Sequence, residues 1–62
     1  MDELIREIEK AVEKKYNEIK ETGKIYSGIK KFTAELAWFE PELARYANRK
    51  MLEIAEKRGD LP

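Results

Sequence analysis

Apolar residues return along this chain with a helical period, in three phases separated by two breaks. From Asp2 to Thr22, Leu4, Ile5, Ile8, Ala11, Val12, Tyr16 and Ile19 share one face. Ile25, Ile29, Phe32, Leu36 and Phe39 follow a four-three-four-three spacing, which makes a second core-facing seam. Leu43, Ala47, Met51 and Ile54 make a third, with Ala44 and Ala55 alongside. No stretch alternates with the two-residue period of a strand. The breaks are Gly23 and the Glu40–Pro41 pair, so the pattern predicts helices over about 2–22, 24–39 and 41–58.

The ends of these segments carry matching chemistry. Asp2 and Glu3 place negative charge where the helix dipole favours it, and Gly23 suits the left-handed residue after a last turn. Pro41 disfavours helical geometry at Glu40 and itself fits a first helical position. Lys57 and Arg58 precede Gly59, again charge followed by a stop. The second segment has two possible starts: Ser27 can cap a helix from Gly28, or Thr22 can cap one that begins earlier. The earlier start is favoured, because Ile25 is already in phase with the seam. Gly28 then lies inside the helix at a cost of about 1 kcal/mol against alanine, which implies that another backbone comes close. Asp2–Arg6 and Glu53–Lys57 are expected as surface pairs. Asp60, Leu61 and Pro62 are expected as a frayed tail. Two short connections make antiparallel neighbours, so the predicted fold is an all-α, up-down-up three-helix bundle, one domain over residues 1–62.

Composition narrows the chemistry. Sixty-two residues lie near the lower limit for folding without staples, and there is neither cysteine nor histidine. Their absence removes the usual zinc sites and the usual nucleophile–base pairs. Carboxylates at Glu3–Glu7 and Glu9–Glu13 stand beside lysines, as on an ordinary solvated face. Lys15 is the odd lysine, near the apolar centre of the first segment. Its stem is expected along the core edge with the ammonium reaching outward, in preference to a desolvated nucleophile. Neither catalysis nor a cofactor or metal is expected.

Thirteen basic residues balance thirteen acidic ones, so no electrostatic footprint for nucleic acid or an anionic membrane is present. Arg45 and Arg49 beside Asn48 would suit phosphates, but Glu42, Glu53 and Glu56 share their segment. No apolar run approaches the roughly 20 residues of a membrane span, and the acidic start is unlike a secretory signal. A soluble chain with 42% charged residues is expected.

The middle segment departs from this pattern. Twelve of 21 residues from Asp2 to Thr22 are charged, and eight of 18 from Pro41 to Arg58, but only Lys30, Lys31 and Glu35 among the 15 from Ile25 to Phe39. A helix apolar on most sides expects cover on most sides. Trp38 lies roughly 160° from the centre of the seam, at about 100° per residue. It shares an outer stripe with Ser27, Lys31 and Ala34, flanked on one side by Tyr26, Thr33 and Ala37. Arg45, Asn48, Arg49 and Leu52 occupy the outer part of the third segment, with Tyr46 on its shoulder. A large aromatic among small residues is an interface composition. The expected site is therefore a protein-docking surface with Trp38 as anchor, Ala34, Ser27 and Lys31 around it, and Tyr26, Tyr46 and Arg49 at the rim. Two rival expectations are a Trp38 ring folded over the Glu40–Pro41 turn, and an outer face met by a second copy of the chain.

The Asp2–Glu3 start, the Gly23 stop, the Pro41–Glu42 start and the Lys57–Arg58–Gly59 finish are all regular. With its Glu/Lys-rich first segment, the chain resembles de novo designed helical mini-proteins, particularly small three-helix binders made against protein targets. The resemblance implies a rigid protein-binding module without enzymatic activity. It also implies that the departures from an ideal scaffold, Gly28 and the aromatic, Ala-interrupted stretch from Tyr26 to Met51, belong to the target-facing surface.

Overall fold

The three phases fold as three α-helices in a computed structural model that describes residues 2–61: α1 (Asp2–Glu21), α2 (Ile25–Ala37) and α3 (Pro41–Arg58). All three pack on one another, which is the all-α three-helix bundle the pattern predicts. Arg58 at the end of α3 donates to Asn17 Oδ1 at 2.9 Å and to Glu13 at 3.4 Å. Near its start, Leu43 shares a groove with Ile8 and Ala11 of α1. So α1 and α3 run the same way and α2 returns between them. The core joins Val12, Tyr16 and Ile19 of α1 to Ile29 of α2 and to Ala47, Met51 and Ala55 of α3. Alanines on α3 keep its buried face thin, and α2 and α3 make the closest of the three packings.

Both glycine stops are left-handed, at φ +77° for Gly23 and +69° for Gly59. After α3, Gly59 N–H bonds Glu56 O at 3.1 Å and Asp60 N–H bonds Ala55 O at 2.8 Å, a Schellman closure. After α1, the Thr22 hydroxyl donates to Ile19 O at 2.6 Å and accepts from Lys24 N–H at 3.3 Å. Thr22 thus closes α1 instead of capping α2, which begins after Lys24 with no side-chain cap.

Several expectations need correcting. α2 ends at Ala37, two residues early. Trp38 N–H turns to Glu35 O at 3.3 Å and Phe39 N–H to Leu36 O at 3.0 Å, a tightened last turn. Glu40 then leaves helical geometry at φ −141°, as the following proline requires. Phe39, expected on the seam, is past the helix and 82% exposed. Leu4 and Ile5, also expected in the core, are 61% and 50% exposed. Length explains the two exposures on α1. At about 1.5 Å per residue α1 spans roughly 30 Å and α2 only about 20 Å, so α2 stops short of the first turns of α1.

The close neighbour of Gly28 is a side chain, not a backbone: a Cβ there would stand 2.5 Å from Ile19 Cγ2. The tail is docked, not frayed. Leu61 packs against the core, while Asp60 accepts a hydrogen bond from the Tyr16 hydroxyl and pairs with Lys20 at 3.3 Å. Pro62 lies outside the described residues. In place of the expected surface pairs, Lys15–Glu18 and Lys50–Glu53 stand three residues apart at 3.7 Å. Among the described residues no helix is long and apolar enough to cross a membrane.

Candidate functional site

Trp38 follows the last residue of α2 and precedes the Phe39–Glu40 link to α3. Its side chain is 87% exposed, so the ring does not fold over the Glu40–Pro41 turn. Ser27, Lys31 and Ala34 are exposed along the same stripe. Tyr26 is exposed beside them, with Lys30 Nζ 5.4 Å from its ring centroid. Thr33, expected as a flank, is buried instead. Its hydroxyl donates to Ile29 O at 2.9 Å within its own helix, so the side chain is buried without an orphaned donor.

Between α2 and α3 runs a shallow groove of about 450 Å³. Thr33, Ala34 and Ala37 form one wall, Pro41, Ala44 and Asn48 the other. Ala34 belongs both to this groove and to the Trp38 stripe. Asn48 Oδ1 is buried here and has no hydrogen-bond partner. The charged residues lining the groove, Lys30 and Arg45, are both basic. Among the described residues neither these nor Lys31 and Arg49 stand in an ion pair.

The structure brings five expected residues onto one surface of α2: Trp38, Ala34, Ser27, Lys31 and Tyr26. Arg49 is exposed on α3 one turn past Arg45, and the two line a separate hollow beside the groove. Tyr46 shares that hollow with Arg45 and Arg49 but stands away from the α2–α3 groove. It lies about 200° around α3 from Asn48. There it is half-buried against the core, with Lys50 Nζ 5.8 Å from its ring. Leu52 also packs partly against the core. The site residues that the sequence left unassigned are Lys30 and Pro41. A three-residue link between two helices forces their adjoining ends to share a surface, and that spacing was the available signal.

Lys15 is half-exposed, with Nζ 3.7 Å from Glu18 and 5.3 Å from the Phe32 centroid, so its stem crosses apolar surface and its ammonium stays in reach of water. No cluster of three potential metal-ligating side chains occurs among the described residues. Comparison with protein families, with characterised proteins and with solved structures finds no match.

Proposed function

We propose that this chain is a non-enzymatic protein-binding module, of the type of a designed three-helix mini-binder, which engages a protein through the outer face of α2 and the adjoining face of α3. The observation that carries this reading is Trp38, 87% exposed beside a groove of small residues. Covering an aromatic side chain removes about 150–250 Å² from water. The short link between two packed helices fixes the backbone of Trp38, so docking has only its two side-chain torsions left to order. The groove of small residues lets a partner approach closely. Lys30, Lys31, Arg45 and Arg49 suit a partner that presents carboxylates at the rim, so association should slow as salt rises.

Photo-crosslinking tests this without naming the partner beforehand. A photo-reactive side chain at Ala34, with the same group at Lys10 on α1 as control, captures the target. Its affinity is then measured for wild type and Trp38→Ala. Loss of a buried aromatic anchor is worth more than ~2 kcal/mol, so binding should weaken well beyond tenfold while helicity and Tm stay put. Equal affinity of the variant, or a large fall in Tm, would overturn the reading. In the isolated chain Trp38 emission should be red-shifted and quenchable, and should move to the blue on binding.

A further inference from the structure

The end of the bundle where α1 begins and α2 stops is open. There Ile8 and Ala11 of α1 face Phe32 and Leu36 of α2 over Leu43 and Ala47, around an apolar groove of about 180 Å³. Leu4, one turn before Ile8, continues one wall with Ile5 beside it. Phe39, three residues past Leu36, continues the other. All three are patterned as core yet are at least half exposed. This is a different face from the Trp38 stripe, because successive residues point about 100° apart.

We propose that this open end is a homodimer interface in which Phe39 of each copy enters the groove of the other. The pairing is self-complementary, since every copy carries both the ring and the groove that receives it, as a two-fold contact requires. Each ring covers about 150–250 Å² and masks a smaller area of the groove it enters. With Leu4 and Ile5 from both copies, the total is on the order of 1,000 Å², the level of a weak but specific interface. Charge favours a second copy. The chain has thirteen charges of each sign, so two copies meet without net repulsion. On the first turns of α1, Glu3, Arg6 and Glu7 carry both signs, so a second copy brings acids and a base alike to this end.

Analytical ultracentrifugation from low micromolar to near-millimolar protein tests this directly. Wild type should rise toward twice the monomer mass. Phe39→Ser and Leu4→Glu should each weaken association by at least ~tenfold, with unchanged circular dichroism. Glu21→Ala, exposed at the opposite end of α1, should leave it within about twofold. Concentration-dependent NMR shifts at Leu36 and Leu43 give a second readout that needs no variant. A wild-type chain that stays monomeric throughout overturns the proposal, and so does a dimer indifferent to both Phe39→Ser and Leu4→Glu.

Discussion

At Gly28 two local requirements oppose each other. Alanine there would recover about 1 kcal/mol of helix propensity. Its Cβ, however, would press on Ile19 Cγ2 at 2.5 Å. Ile19 is buried and β-branched, so its χ1 is stiff within α1 and the methyl cannot swing aside cheaply. Overpacking of this kind costs about 1–3 kcal/mol, which outweighs the propensity gain. Gly28→Ala should therefore destabilise the chain by roughly 1 kcal/mol in urea unfolding. Ile19→Ala deletes the offending methyl, and in that background Gly28→Ala should turn stabilising. If Gly28→Ala stabilised the otherwise native chain, α1 and α2 would have to lie farther apart.

Among the helices, the shortness of α2 decides which patterned residues end up covered. Leu4 and Ile29 look equivalent as seam positions, yet Leu4 is 61% exposed and Ile29 fully buried. Leu4→Glu should change the stability of the dilute chain by no more than about 0.5 kcal/mol, as at an open surface. Ile29→Ala should cost about 2–5 kcal/mol, as in a packed core. Similar losses at the two positions would contradict the open end. Periodicity makes the three helices legible, and Gly23, Pro41 and Gly59 mark where they stop and start. The outward aim of Trp38 is legible for the same reason, since it depends only on angle. Periodicity reports a face, however, and not whether a neighbour is long enough to reach it. That is why Leu4 and Ile5 carry a core pattern without a core position, whereas Phe39 loses its place because α2 ends two residues before it. The docked tail is harder to foresee because its partners lie far away in sequence: Asp60 meets Tyr16 and Lys20 of α1.

Across the whole molecule, one polar clasp ties the end of the chain to α1. Tyr16 is fully buried, and its hydroxyl donates to Asp60, which Lys20 also holds. Arg58 lies over the Tyr16 ring at 5.3 Å. Burial first, and then the bond to Asp60, push the Tyr16 hydroxyl up to about 12 from its ordinary 10.0. The bond from Tyr16, helped by Lys20, holds Asp60 below its ordinary 3.8. A carboxyl lowered in the fold stabilises above its ordinary pKa and loses that contribution as pH falls through the folded one. A phenol raised in the fold stabilises below its ordinary pKa and loses that contribution as pH climbs. The clasp should thus contribute fully between about pH 4 and pH 10 and fade on both sides. Asp60→Asn should lower stability at neutral pH, flatten the acid limb and bring the tyrosinate transition of Tyr16 down. Urea titrations across pH, with tyrosinate absorbance, check all three, and a profile identical to wild type would count against the clasp.

The docked tail also governs where this protein can be tethered. Leu61 lies beside Tyr26 and Ser27, around the groove at the α1–α2 corner. Anything appended past it sets off next to the Ser27 end of the stripe, so a bulky reporter fused there will screen Tyr26 and Ser27 and leave Trp38, roughly 16 Å farther along, open. The same reporter placed ahead of Asp2 sits at the opposite pole, where it will crowd Leu4 and Ile5 and leave Ser27 uncovered. Comparing the two fusions separates the two poles of the bundle without changing a single side chain.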